Sequence, residues 1–347
     1  MTEYPIDIII PVWNRPVEVR AALASFVAAS PRARLVMVNN GSERETESIL
    51  DEFAEALDDR ALLVSTDRNI GSIAALNLGL SKSSAPLVLV STPFTRVETG
   101  WFDSVAALFK QSSSAGSAML HNRGESSNPQ PVETDHGCFE AMVLRRSLYD
   151  ETGGFDEGMD GGEWALRDFA RRSLTYGYTT YSLPCRHISL LEQRELGSAS
   201  RREVRVFNAR ETYVSRWGEP EVFLLNCSES LFGLTLDALT DALLQSARQG
   251  NRFIMTAEHK TAKVLLNNGF SAIHDNITVQ PLPRFFSKKT LHRTVEQAVK
   301  SEPSITVISD AVIFDGNLKS VSMADFLSQL QKSSELYYQR GIHDRNH

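Results

Sequence analysis

Residues 6–16 read Ile6-Asp7-Ile8-Ile9-Ile10-Pro11-Val12-Trp13-Asn14-Arg15-Pro16. Ile6 to Val12 is an almost continuous apolar run, which predicts a strand covered on both faces. Asn14 is a favoured helix cap, and Pro16 suits a first helical turn because no amide bond is lost there. Val19, Leu23, Phe26 and Val27 then recur at helical spacing. The strand-and-helix unit repeats. Leu35–Val38 predicts a second strand, and Ser42 with Glu45 predicts a capping box ahead of Ile49, Leu50, Phe53 and Leu57. Ala61–Ser65, a helix about Ile73–Leu80 and a strand at Leu87–Val90 follow. This order predicts an α/β fold with a mostly parallel sheet and helices on both faces. Such sheets bind ligands beyond the carboxyl ends of their strands. Pro11–Arg15, Asn39–Ser42, Asp67–Gly71 and Ser91–Val97 are therefore the candidate binding segments.

Farther on, residues 121–137, HNRGESSNPQPVETDHG, predict a long surface loop, either a lid or an excursion. Cys138–Leu144 predicts a strand, 163–176 a helix, Thr179–Leu183 a strand and 199–217 a long helix. Val206, Ala209, Tyr213 and Trp217 share one stripe of that helix. Trp217-Gly218-Glu219-Pro220 breaks it and marks a boundary. The periodicity then restarts, with strands at 222–225, 253–256, 277–279 and 305–308 and helices about 236–249, 259–268, 288–300 and 322–338. Two domains are expected, 1–219 and a smaller α/β domain at 220–347, consistent with about 150 residues per domain.

Bulk composition narrows the class. The chain has 347 residues, 42% hydrophobic and 23% charged, as in soluble globular proteins. No apolar run approaches the ~20 residues of a membrane span, and MTEYPID does not read as a secretory leader. Cys138, Cys185 and Cys227 are odd in number and far apart, which argues against a disulfide scaffold or zinc ribbon. A cytoplasmic setting is expected, with peripheral attachment to a membrane left open. Residues 1–219 carry 30 acidic against 23 basic side chains, and 220–347 carry 13 of each. A nucleic-acid partner is not expected, because it would need a basic footprint.

The first 219 residues resemble the family 2 glycosyltransferases, which have the GT-A nucleotide-diphospho-sugar transferase fold. IIIPVWNRP is similar to the family's opening strand and base-binding turn, and VMVNNGS to its second strand end. Asn69-x-Gly71 with Asn77-x-Gly79 is similar to its N-x-G…N-x-G helix. LVLVSTPFTRVETGWFD occupies the place of the metal-binding DxD strand. GGFDE at 153–157, Glu163, Gly177-Tyr178 and His187 resemble the acceptor-side signature. The resemblance implies a nucleotide-diphosphate sugar as donor, a UDP-sugar as first guess, and a glycan or other hydroxyl compound as acceptor. Pro11, Asn14, Arg15, Asn39, Asn69, Gly71, Thr92 and Arg96 are the implied donor-binding residues. Glu163 is the implied catalytic base, with Asp160 and Trp164 on the acceptor side. A homo-oligomer is left open.

Two departures shape the expectations. Thr92-Pro93-Phe94 replaces the carboxylates of the DxD, and hard divalent cations need oxygen ligands. No cofactor is expected, and no metal at that position. Diphosphate charge would then fall to arginine, Arg96 first, which pairs well with phosphate oxygens. A non-standard metal set of Glu98 with His187 is the alternative. Arg201, Arg202, Arg205, Arg210 and Arg216 would face phosphates or solvent. At the acceptor side Asp160-Gly161-Gly162-Glu163-Trp164 supplies one carboxylate where the family has a Glu-Asp pair. The competing function is a catalytically inactive nucleotide-sugar-binding or scaffolding module on the same fold. A nucleotidyltransferase lacks support, since no Gly-rich phosphate loop follows the first strand.

Overall fold

The computed structural model describes residues 5–122, 130–191, 198–228, 236–284, 287–302, 304–309, 320–321, 323, 325–330 and 332. The chain forms two compact units. One comprises Met1–Pro131 with His136–Trp217, the other Val132–Asp135 with Gly218–His347.

In the first unit the opening run forms β1 (Ile6–Val12), followed by α1 (Pro16–Ala29), β2 (Ala33–Asn40), α2 (Arg44–Leu57), β3 (Ala61–Thr66), α3 (Ser72–Lys82) and β4 (Leu87–Ser91). Then come β5 (Thr95–Val97), α4 (Trp101–Gln111) and β6 (Ala115–His121). After β7 (Val132–Glu133), which belongs to the second unit, the chain continues with β8 (Ala141–Arg145), α5 (Arg146–Thr152), α6 (Trp164–Thr175), β9 (Thr179–Pro184), β10 (Ile188–Leu190) and α7 (Ala199–Trp217).

The main sheet of this unit runs β3-β2-β1-β4-β8-β6-β9. Pairings β3–β2, β2–β1, β1–β4 and β6–β9 are parallel, whereas β8 runs against both β4 and β6. Strand alternation explains why β1 reads as continuously apolar. Ile8, Ile10 and Val12 enter one core with Leu23, Phe26 and Trp101, while Ile9 enters the opposite core with Val36, Val90, Leu76 and Phe169. Full burial of each of these side chains contributes about 1.5–3 kcal/mol. Asp7 is buried in the same strand and paired with Arg34 through two hydrogen bonds of 3.0 and 2.7 Å. Gly79 sits where α3 crosses the sheet, and a methyl group there would lie 2.4 Å from Ile9 Cγ2. The glycine is thus required by close helix–sheet packing.

Several local expectations are corrected. Asn14 does not cap α1, because Asn14 and Arg15 are both left-handed, with φ of 57° and 67°. The Asn14 side chain instead accepts from Glu43 N at 2.8 Å. Ser42 and Glu45 form no capping box; Ser42 Oγ accepts from Asn14 N and donates to Val12 O. The predicted strand at Cys138–Leu144 begins only at Ala141.

The second unit has a wholly parallel sheet in the order β13-β12-β11-β14-β15. Its elements are β11 (Val222–Cys227), α8 (Leu236–Arg248), β12 (Arg252–Ala257), α9 (His259–Asn267), α10 (Phe270–Ile273), β13 (Ile277–Pro281), α11 (Ser287–Ser301), β14 (Thr306–Ser309) and β15 (Ser320–Val321). Of the helix predicted about 322–338, most residues past 330 lie outside the described set.

The segment predicted as a surface loop supplies part of this unit, so the unit is not the continuous stretch 220–347. Residues 123–129 of that segment lie outside the described set. Glu133 pairs with Arg248 at 2.6 and 2.7 Å and forms a parallel bridge with His274. Asp135, 2% exposed, accepts from Asn276 at 2.9 Å. Breaking such a bidentate, largely buried pair leaves a charge unmatched. Glu133→Ala is therefore expected to cost about 1–3 kcal/mol and to speed amide exchange at 132–135 and 274–277. Unchanged exchange in those two segments would refute the anchoring role.

Candidate active site

The carboxyl ends of β1, β2 and β4 open on a cleft of about 380 Å3. Pro11, Trp13 and Arg15 line it from β1, and Ser91, Thr92, Pro93 and Phe94 from the end of β4. Asn40, Asn69, Gly71 and Ser72 form another side, with Phe139, Arg202 and Arg205 completing the wall. Among these lining residues are three arginines and no carboxylate.

The β1 turn holds Arg15 under strain. A non-glycine residue in the left-handed region costs about 1–3 kcal/mol, more readily tolerated by asparagine than by arginine. Asn14 ties this turn to the β2 turn through Ser42 and Glu43. Arg15 is thereby carried over the Phe94 ring, 5.8 Å from its centroid. Trp13, 44% exposed, stands in the same turn and was missed by the sequence reading. Its place directly after an apolar strand was the available signal.

At the end of β2 adjacent side chains take opposite faces. Asn39 is 3% exposed and accepts from Ser42 N at 3.0 Å, which makes it a turn brace that does not line the cleft. Asn40 lines the cleft instead. It accepts from Ile70 N and donates to Asn69 Oδ1 and Gly71 O. Asn69 accepts from Gly71 N, so the Asn69–Gly71 turn is held from two sides. Gly71 has φ 102°, a conformation that favours glycine.

The DxD position is a turn without carboxylates. Thr92 Oγ1 accepts from Phe94 N, and Phe94 is 7% exposed. Arg96, the first-named phosphate partner, does not line the cleft. Its guanidinium donates to Pro93 O, Thr95 O and Glu18 O. Burial pulls its pKa below the ordinary value, although the charge of Glu18 opposes this. Glu98 and His187 stand 3.8 Å apart, and among the described residues no group of three His, Cys, Asp or Glu is arranged to hold a metal. The cleft residues therefore do not fit a hard divalent cation. Burial, joined by Glu140, pushes the Cys138 thiol up to about 12, so it is not a nucleophile near neutrality.

The GGFDE segment and the glycine-rich turn after it build the far side. Asn77 clamps the Phe155 backbone by accepting from its N–H at 2.9 Å and donating to its C=O at 2.8 Å. Trp164 packs on Tyr213, ring centroids 5.2 Å apart, rather than facing the cleft. Glu163 pairs with Arg167 one turn along α6 at 3.0 Å and does not line the cleft. Asp160 does reach a lining residue, accepting from Ser72 N at 3.1 Å. On α7, Arg202 and Arg205 face the cleft. Arg216 at the other end pairs with Asp156 and Asp168.

Residues 7–170 match the family described as Glycosyl transferase family 2. The N-terminal region of the chain is similar to that family over those residues. A crystal structure of GalNAc-T7 with UDP, GalNAc and Mn2+ is similar, with a TM-score of 0.52 at 14% identity. That match covers 61% of this chain but 48% of the other, so this chain spans about half of that protein's length. Mannosyltransferase PcManGT from Pyrobaculum calidifontis, in complex with GDP-Man and Mn2+, aligns with a TM-score of 0.49 at 14% identity, over 99% of this chain and 88% of that one. At its 14% identity the likeness to the GalNAc-T7 structure speaks for the fold alone, which is GT-A. No match was found among the curated proteins. No helix among the described residues is long and apolar enough to cross a membrane.

Proposed function

We propose that the family 2 region transfers a sugar from a nucleoside diphosphate donor to a hydroxyl acceptor, with inversion and without a divalent cation on the diphosphate. The observation that carries this reading is the charge of the cleft: among the described residues Arg15, Arg202 and Arg205 line it and no carboxylate does. A diphosphate needs compensation, and guanidinium groups supply it through charge-assisted, bidentate hydrogen bonds. The base would lie by Pro11 and Trp13, with the amide of Asn69 beside it. UDP is the first ligand to test. Inversion follows from a single in-line displacement, in which the acceptor oxygen attacks opposite the leaving diphosphate.

Calorimetry with UDP and a set of UDP- and GDP-sugars, in Mn2+ and then in EDTA, tests the reading. The expected result is binding whose Kd changes less than about threefold on removing Mn2+. Affinity should fall as salt rises, because charge attraction at an open cleft is screened within ~8–10 Å. Binding that requires Mn2+, or no binding of any nucleoside diphosphate at millimolar concentration, would overturn it.

A further inference from the structure

We propose that the second unit holds one wall of the donor cleft in place, with Asp135 and Asn276 as positioning residues for Phe139. This role rests on the donor-binding reading above, because Phe139 lines that cleft. The chain arrives at Phe139 directly from Val132–Asp135, the short segment that belongs to the second unit. Only His136, Gly137 and Cys138 stand between Asp135 and Phe139. Each residue of extended chain spans at most about 3.3–3.6 Å, so a link this short has little slack.

The near end of the link is fixed within the second unit. Glu133 pairs with Arg248, and its carbonyl accepts from Asp275 N at 2.8 Å. Asp135 accepts from Asn276 Nδ2 at 2.9 Å, and the same amide donates to Ala247 O at 3.2 Å. Thr134, Asp135 and Asn276 are 4%, 2% and 6% exposed. Connecting segments normally run over the surface, and burying polar side chains costs free energy unless they are matched. Matched burial at this point sets the segment apart from a plain surface excursion.

The far end is tied to the cleft. Gly137 lies against Met119, where a methyl group would come within 2.6 Å of Cγ. Phe139 stands edge-on to Phe155, with ring centroids 5.0 Å apart. The carbonyl of Glu140 accepts from the hydroxyls of Ser91 and Thr95, on either side of Thr92-Pro93-Phe94. Ser91 to Phe94 line the cleft with Phe139. One short piece of chain therefore joins a buried polar pair in the second unit to the cleft wall and to the turn at the end of β4. Close-packed surroundings pass on such a tie, because they leave few voids into which a displaced segment can relax.

Insertion of Gly-Ser-Gly-Ser between Asp135 and His136 of the full chain tests this role, because it adds slack and replaces no residue. Amide exchange is read without ligand, and UDP binding by calorimetry. Exchange at 139–142 and 91–95 is expected to speed up, while 132–135 and 274–277 exchange as in the parent. The Kd for UDP should rise about 2–30-fold, the range for changes along a coupled network. Asn276→Leu breaks the anchor itself and should speed exchange in both places. Asp135→Asn, whose amide oxygen still accepts from Asn276, should stay within about twofold of the parent Kd. An insertion variant with the parent's exchange at 139–142 and 91–95, or Asn276→Leu with changes confined to the second unit, overturns the positioning role alone. A parent that binds no UDP overturns the donor-binding reading, and the exchange rates then still decide whether the second unit positions this wall.

Discussion

Replacing Arg202 and Arg205 together by alanine is expected to weaken nucleoside diphosphate binding by roughly 100-fold or more. A hydrogen bond to a charged group contributes about 1.5–3 kcal/mol, and each 1.4 kcal/mol is tenfold in affinity. The two side chains stand three residues apart on α7, which brings them to one face of the helix. The expected salt response is the second readout. The parent should lose affinity as ionic strength rises, and the double variant should lose less. Stability should change little, because the α7 residues that hold this helix in place are Ala209, Tyr213 and Arg216, away from the substitutions. Calorimetry across a salt series decides the matter. A double variant that binds UDP as tightly as the parent would show that the diphosphate lies elsewhere.

Asp168→Ala is expected to cost about 3–5 kcal/mol of stability, the range for breaking a buried ion pair by removing one partner. Asp168 is fully buried on α6 and accepts from Arg172 Nε at 2.7 Å, Arg216 at 2.6 Å and Trp217 Nε1 at 2.9 Å. Its removal leaves two guanidinium groups without their shared partner. At about 2–4 °C per kcal/mol for a domain of this size, Tm should fall by roughly 10 °C. A shift within 2 °C would contradict this account of the node. Asp168→Asn should be milder, since an amide oxygen still accepts from Trp217. The neighbouring Asp156 adds a pH dependence. Burial raises its pKa, but hydrogen bonds from Arg216 and Gly158 N and the charges of Arg216 and Arg172 outweigh it, so the carboxyl lies below its ordinary value. A depressed folded pKa adds stability above the unfolded value, near pH 4, that is lost as pH falls through the folded value. Arg216→Ala should flatten this acid-side loss.

Sequence patterning carried far in this protein, for identifiable reasons. β1, β2 and β4 are legible because a strand buried on both faces must be apolar at nearly every position. α7 was bounded at 199–217 because Gly218, at φ 82°, ends it. The missed elements have equally plain causes. β6 opens on Ala115-Gly116-Ser117-Ala118 and shows no apolar alternation, whereas α4, with Trp101, Val105 and Leu108 at helical spacing, and α5, ended by Gly153 at φ 74°, carried signals that the sequence reading did not use. Asn14 and Ser42 carry strong capping chemistry, yet the tertiary structure uses both to join two turns instead. Propensity cannot see a partner 28 residues away.

The sequence by itself determined the class of fold, the likeness of the N-terminal region to a known family and the absence of carboxylates at Thr92-Pro93-Phe94. These follow from local periodicity and from the order of short segments, both properties of a linear string. Only the tertiary structure decided which neighbours face the cleft. It turned Asn40 inward and Asn39 away, because successive strand residues take opposite sides. It spent Arg96 on backbone carbonyls and brought Arg202 and Arg205, more than 100 positions later, to the end of β4. It gave Val132–Asp135 to the second unit, where a partly buried, bidentate ion pair outweighs the loop-like composition of that segment. It also set Asp160 against Ser72, which lines the cleft, and paired Glu163 with Arg167 on α6. These outcomes depend on charge and close packing between residues distant in the chain, information that no window of sequence contains.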